Sequence, residues 1–253
     1  MRPYILAESN WKTVKDQKVD LAVLPWGATE AHNYHLPYAT DNIQVGYIAE
    51  EAARLAWENG ARLLVLPTIP FGVNTGQIDI KLNINMNPGT QAAVLGDVTD
   101  VLQNHGISKL LILNGHGGNN FESMLREIGI RYPDMFFASC DWFKSLDKTQ
   151  FFEEMGDHAD EMETSLMLYL ADNLVLPLEE AGDGAAKKFK VKALNETWAW
   201  TERKWSQLTA DTGVGNPKKA TKEKGEAFFK AVTEKVAQLL IDLSQADIKD
   251  MYK

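Results

Sequence analysis

The chain has 253 residues, a formal net charge of −9 and 45% apolar residues. That length allows one large α/β domain or two small ones, and the negative balance argues against a nucleic-acid groove or an anionic membrane surface as the main partner. The single cysteine, Cys140, excludes an internal disulfide framework and suits a reducing compartment.

Residues 1–20 alternate apolar and charged side chains and lack the apolar core of a signal peptide. No stretch approaches the roughly 18 apolar residues of a membrane span, so the reading is a soluble, cytoplasmic protein. The run Asp20–Pro25 predicts a first buried strand. Asn42–Asn59 carries its apolar residues on one broad face and predicts a helix, closed by the turn signal Asn59-Gly60. Arg62–Pro67 predicts a second strand. Phe71–Pro88 is less regular, and within it Ile78–Met86 alternates apolar and polar, as an edge strand or an exposed hairpin arm would. Helix Gly89–Gln103, strand Lys109–Leu113, helix Phe121–Arg131 and strand Met135–Cys140 follow in turn. Ala159–Leu170 predicts a helix whose preceding acids suit its positive end. Ala181–Trp205 is the most irregular stretch and contains Trp198, Trp200 and Trp205; Glu223–Leu243 predicts a C-terminal amphipathic helix. Strand and helix alternating at this spacing imply a parallel sheet covered by helices on both faces. No repeat, linker or boundary interrupts the pattern, so one domain over residues 1–253 is expected.

Three segments carry chemistry. The first follows the first strand and gathers Glu30, His32, His35 and Asp41 into thirteen residues from Thr29 to Asp41. Carboxylates and imidazoles at a strand end are what a divalent metal needs. Glu30 and His32, two apart, point the same way in extended chain, and Asp41 can cap the helix near Asn42 while offering a free oxygen. Singly, each residue reads as a cap or a hydrogen-bonded side chain; together they point to a metal. The second segment, Asn114-Gly115-His116-Gly117-Gly118-Asn119, runs from a buried strand through a glycine-rich turn. Ligands of open parallel sheets bind beyond such strand ends, Gly117 and Gly118 allow close backbone approach, and their N–H groups can stabilise an oxyanion. The segment lacks the Lys-Ser/Thr of a P-loop and the spacing of a dinucleotide fingerprint. The third, Asp157–Ser165, holds His158, Asp160, Glu161 and Glu163. Glu163 faces inward with Leu166 and Met167 while Glu161 faces elsewhere, and a buried carboxylate needs a partner that a metal would supply.

These residues resemble the creatininase (creatinine amidohydrolase) family. Its first motif, Gly-Ser-x-Glu-Gln-His-Gly-x-His-Leu-Pro-x-x-Thr-Asp, is similar to Gly27–Asp41, with Ala31 where the family has glutamine. Its second, Asn-Gly-His-Gly-Gly-Asn, is present at Asn114–Asn119. Its third, His-Ala-Gly-Glu-x-Glu-Thr-Ser, is similar to His158–Ser165, with Asp160 in place of glycine. Gly213-Val214-Gly215-Asn216-Pro217, then Ala220-Thr221 and Lys224-Gly225, are similar to a further family pattern.

The resemblance implies an α/β fold, a three-layer α/β/α sandwich with a mostly parallel central sheet. It implies two divalent metal ions per subunit, zinc first and manganese or iron next, and hydrolysis of non-peptide, often cyclic, amide bonds in small molecules. It also implies a homo-oligomer, a hexamer in the family. Glu30, His32, Asp41 and His116 fall on family metal-ligand positions, with Asp41 the bridge, and His158 falls on a catalytic position. His35 is then a neighbour of the ligands or a substrate contact, and Asn114 and Asn119 hold the loop around Gly117 and Gly118. Creatininase itself carries a glutamate ligand where this chain has Gly118, and Glu163 is expected to supply the missing carboxylate. Trp142 is the one tryptophan between His116 and His158, which counts against creatinine itself as substrate; Trp198, Trp200 and Trp205 line a pocket or pack at an interface or in the core. Three alternatives stand beside this reading: a deformylase or peptidase of the same family, a cysteine hydrolase using Cys140, and a metal-binding structural protein without turnover.

Overall fold

In the computed structural model, which describes residues 2–252, the four apolar runs become β1 (Leu21–Trp26), β2 (Leu63–Val65), β3 (Lys109–Asn114) and β4 (Phe136–Asp141). Met1 and Lys253, the ends of the expected domain, lie outside the described residues. The strands form one sheet in the order β2-β1-β3-β4, and every pair is parallel. The register aligns Trp26 with Asn114 and Asn114 with Asp141. The carboxyl ends of the three strands therefore stand in one row.

Five helices of ten residues or more flank the sheet among the described residues: α1 (Thr40–Glu58), α2 (Pro88–Asn104), α3 (Glu122–Arg131), α4 (Glu161–Leu170) and α5 (Lys222–Gln245). Strand side chains alternate between the two layers, as the period of two requires. Leu21, Val23, Leu111 and Leu113 pack with Val45 and Ile48 of α1, Leu166 of α4 and Phe228 and Val232 of α5. Ala22, Leu24, Trp26, Leu110 and Ile112 pack with Leu95 and Leu102 of α2 and Met124 and Ile128 of α3. Both faces are covered, which is why β1 and β3 are buried at every position. The architecture is the three-layer α/β/α sandwich expected from the sequence. No helix among the described residues is long and apolar enough to cross a membrane.

Ile78–Met86 is neither an edge strand nor a hairpin arm. It makes only isolated bridges, Thr29 with Ile84 and Gly72 with Asn85. Its apolar members Ile78 and Leu82 are exposed, while the polar ones turn inward: Asn83 accepts from the Ala31 N–H and Asn85 from the Asn74 N–H. Alternation signals a strand only when the apolar set is the buried one, and here that assignment is reversed. The helix boundaries shift too. Helix α1 begins at Thr40, so Asp41 sits in its first turn and is not its cap; Ala39 holds that place. Helix α4 begins at Glu161, with Asp160 as a cap accepting from the Glu163 N–H. Trp142 is buried in the core against Phe228.

Candidate metal centre

Three chain segments meet beyond the row of strand ends. The chain leaving β1 carries Glu30 and His32, and the first turn of α1 returns Asp41 to them. His116 stands two residues past the end of β3, and the segment entering α4 supplies His158 and Glu163. All six side chains are buried. Their donor atoms fall into three groups that could hold a metal ion: Glu30, Asp41 and His116; His32, Asp41 and Glu163; and Glu30, His32 and His158. Asp41 belongs to two of them. Its Oδ1 lies 3.0 Å from Nε2 of His32 and its Oδ2 lies 3.0 Å from Nδ1 of His116. Nδ1 of His116 is also 2.9 Å from Oε1 of Glu30, and Nε2 of His32 is 3.9 Å from Oε2 of Glu163.

Backbone carbonyls decide the histidine tautomers, because a carbonyl can only accept. Nδ1 of His32 donates to the Glu30 carbonyl, Nε2 of His116 to the Val73 carbonyl, and Nε2 of His158 to the Ala31 carbonyl. In the neutral rings the opposite nitrogens carry lone pairs, and these face the carboxylates. A lone pair facing a carboxylate at 3 Å needs a proton or a cation between them. Oδ2 of Asp41 has no hydrogen-bond partner although it is buried. This orphaned oxygen and the mixed imidazole and carboxylate donors fit a divalent cation, with the second nitrogen of each histidine anchored as metal-ligating histidines require.

The ion-free electrostatics show the same strain. Burial lowers the His32 imidazole, but Asp41, Glu163 and Glu30 outweigh it and push it up to about 10. His116 is likewise raised, against its burial, by Glu30 and Asp41. Burial would raise Asp41 and Glu30, yet the neighbouring histidines hold both below their ordinary values. Glu163 is pushed up to about 8, by burial first and then by Asp41 and Asp160 against the pull of His32.

The loop after β3 is held by its asparagines. Asn114 donates to the His116 carbonyl (2.9 Å) and to Asp141 (2.8 Å), and Asn119 donates to Oδ1 of Asn114 (3.0 Å) while accepting from Gln91 (2.8 Å). A Cβ at Gly118 would lie 2.4 Å from both Nε2 of His116 and the Val73 carbonyl, so this loop conformation has no room for a side chain there. Glu163, on the opposite side of the cluster, accepts from the Ala159 N–H at 2.5 Å. His35 is buried and bonds Thr164 through Nε2 at 2.9 Å. It is not among the residues lining the cavity.

A cavity of about 410 Å³ opens above the cluster, with Glu30, His116 and His158 at its base and Gly117, Gly118 and Asn119 on its wall. Of the three tryptophans in the irregular stretch, Trp205 is buried with its ring 4.7 Å from that of His158, Trp200 lines the cavity while 87% exposed, and Trp198 points to solvent. Arg203 sits 4.7 Å over the Trp205 ring and pairs with Asp157 at 2.8 Å. The pattern near the C-terminus is also absorbed here, since Val214 pairs with His158 across an antiparallel bridge. Sequence reasoning missed Gln77, which donates to Oε2 of Glu30, and Gln44, which donates to the Glu163 carbonyl at 3.0 Å. A glutamine in an irregular loop carries no periodic or motif signal. Glu161 does face away from the cluster, but it is fully buried; it accepts from the Glu153 and Glu154 N–H groups and from Lys224. Cys140 is half-buried at the end of β4, its thiol pushed up to about 11 by burial, which leaves it a poor nucleophile.

A family model described as "Creatininase: Creatinine amidohydrolase" matches residues 7–240. A solved structure from Bacteroides fragilis NCTC 9343, provisionally assigned as a creatinine amidohydrolase, is 45% identical and covers 100% of both chains with a TM-score of 0.93. Two solved creatininases, a mutant in a Zn–Zn form and a Mn form, cover 96% of this chain and 99% of theirs at 22% identity, with TM-scores of 0.76 and 0.78; they share its fold. The creatinine amidohydrolase of Pseudomonas putida is 26% identical over 86% of this chain and 87% of its own length. The mycofactocin precursor peptide peptidase of Mycobacterium tuberculosis (strain CDC 1551 / Oshkosh) is 28% identical over 84% and 81%. A match at 29% identity to the histidine–tRNA ligase of Picrophilus torridus spans 53% of this chain and only 34% of that protein.

Proposed function

Because the chain belongs to the creatininase family, we propose that it is a metal-dependent hydrolase of a non-peptide C–N amide bond, the cyclic kind first, built around two divalent cations. The observation that carries this reading is Asp41, whose two oxygens each lie 3.0 Å from a different histidine. Glu30, His116 and Asp41 would hold one ion, and His32, Glu163 and Asp41 the other. Zinc suits this donor set, with manganese or iron next, and the Zn–Zn and Mn forms of solved creatininases support that choice. When bound, such a pair polarises an amide carbonyl and lowers the pKa of an attacking water.

The chain's own residues do the rest. His158 is anchored through Nε2 on the Ala31 carbonyl, which leaves Nδ1 facing the cluster, 3.7 Å from Oε1 of Glu30. Burial and the neighbouring His32 hold it below its ordinary range, so it rests neutral. Nδ1 can take the proton of the attacking water and hand it to the leaving nitrogen. The backbone N–H groups at Gly117 and Gly118, on the cavity wall, can support the developing oxyanion. Trp205, against the other side of His158, limits water around that proton.

The test is elemental analysis of the purified protein, then chelation and reloading during turnover of lactams and other cyclic amides, formylated amines and short peptides. Two ions per chain, and activity lost on chelation and restored by zinc or manganese, are expected. Full-rate hydrolysis by the stripped protein would sink the reading. A peptidase of the same family is the second reading, favoured by the similarity to the mycofactocin precursor peptide peptidase, and cleavage confined to the peptides would select it. A homohexamer, carried from the resemblance, is checked by sedimentation.

A further inference from the structure

Glu30 is held by a hydrogen-bonded chain whose direction is determined from one end. The Ala31 N–H can only donate, and it donates to Oδ1 of Asn83 at 2.8 Å. The amide nitrogen of Asn83 therefore faces Gln77 and donates to its Oε1 at 2.5 Å. That leaves the Gln77 amide nitrogen facing Oε2 of Glu30, to which it donates. Gln77 and Glu30 are both almost fully buried, at 3% and 1% exposure, so water does not compete for these contacts. The loop is itself secured, with the Gln77 N–H on the Asn74 carbonyl (3.0 Å) and the Asn74 N–H on Asn85 (2.8 Å). Only Oε1 of Glu30 is left toward the histidines, 2.9 Å from Nδ1 of His116 and 3.7 Å from Nδ1 of His158.

We propose that Gln77 is a positioning residue that holds Glu30 as a one-oxygen donor toward the cation of the Glu30, Asp41 and His116 group, with Asn83 setting the direction of its amide. This rests on the two-cation reading above. The Gln77 N–H takes one lone pair of Oε2 and fixes the carboxylate's orientation, so Oε1 is the oxygen presented to the ion, and turning the group to bring Oε2 equally close would strain a buried hydrogen bond. A position beside Oε1 then stays free for water or substrate, the condition that separates a catalytic from a closed site. Partners of ligating carboxylates act in this way generally.

The test uses the full chain loaded with cobalt(II), read by its visible absorption and by calorimetric affinity, with melting temperature as the check on folding. Gln77→Met keeps the volume and removes the donor. Asn83→Asp keeps the Ala31 contact but can no longer donate, so the Gln77 amide reverses and presents its oxygen to Glu30. Both variants are expected to change the cobalt spectrum, to weaken cobalt binding by roughly 10–100-fold, and to lower kcat at similar KM. Asn83 does not touch Glu30, and the charge that Asn83→Asp adds would by itself tighten cation binding, so weaker cobalt binding in that variant is not what a mere packing role for Gln77 gives. If Gln77→Met fails to fold, Asn83→Asp decides alone. Folded variants with wild-type spectrum and affinity would overturn the role of Gln77 while leaving the metal reading intact. A wild-type protein that takes up no cobalt would overturn both.

Discussion

Oδ2 of Asp41 faces Nδ1 of His116 at 3.0 Å, while the opposite nitrogen of that ring donates to the Val73 carbonyl. Oδ1 of the same aspartate stands in the same relation to His32. One carboxylate therefore joins two donor groups. Asp41→Asn is expected to lose both ions together, measured as metal per chain after gel filtration. Retention of one full equivalent would show that Asp41 does not join the two groups.

His158 also shares a group with Glu30 and His32, so the proposed proton transfer is to be separated from a role as ligand. His158→Ala should keep both ions and lose about 10²–10⁴ in kcat. Metal content falling in step with activity would make it a ligand instead.

The two glycines after His116 differ in what they can accept. Nothing lies within 4 Å of a Cβ built at Gly117, whereas one at Gly118 meets Nε2 of His116 and the Val73 carbonyl. Gly118→Ala should cost about 1–3 kcal/mol of overpacking and weaken metal binding through the displaced His116 hydrogen bond. Gly117→Ala should stay within about 0.5 kcal/mol. Thermal melts of the two variants side by side check this, and equal melting temperatures would contradict it.

Chelator-treated protein should lose stability as pH rises from about 6.5 to about 10. Folded His32, at about 10, and folded Glu163, at about 8, bind protons more tightly than the unfolded chain does. His116 is shifted in the same direction. The stability these groups contribute is present at low pH and is lost as each releases its proton. His35, lowered to about 4 by burial and by His32, and His158, also lowered, act in the opposite sense but only below about 6.5. Melting temperatures at pH 7 and 9.5, with and without zinc, test this. Added cation should flatten the dependence, because it replaces the protons. A flat or rising profile in the stripped protein would contradict the electrostatics described above.

Some of this was legible in the residues alone. The runs ending at Pro25 and Leu113 are apolar at nearly every position because both faces of the sheet are covered, and they match β1 and β3 to within a residue or two. Glu163 is expected from the sequence to supply the carboxylate missing at Gly118; its Oε2 lies 3.9 Å from Nε2 of His32, and its role as a ligand belongs to the proposal. The Ile78–Met86 stretch was misleading because its alternation is real but reversed, with asparagines inward for hydrogen bonding and Leu82 outward. The sequence allows Asp41 to cap the helix while offering an oxygen to a metal; Ala39 takes the cap place, and both Asp41 oxygens turn to histidines.

The sequence by itself determined the order of strands and helices, and it named the carboxylates and imidazoles that gather at the strand ends. Those follow from local chemistry, namely periodic burial and short motifs at strand exits. The tertiary structure alone decided that Asp41 stands between two donor groups, which nitrogen of each histidine faces them, and that Gln77 and Asn83 hold Glu30. The reason is physical: apart from the Glu30 carbonyl beside His32, these choices are made by backbone carbonyls and buried amides from segments distant along the chain. Such partners carry no side-chain signature, and folding alone brings them within 3 Å of the groups they orient.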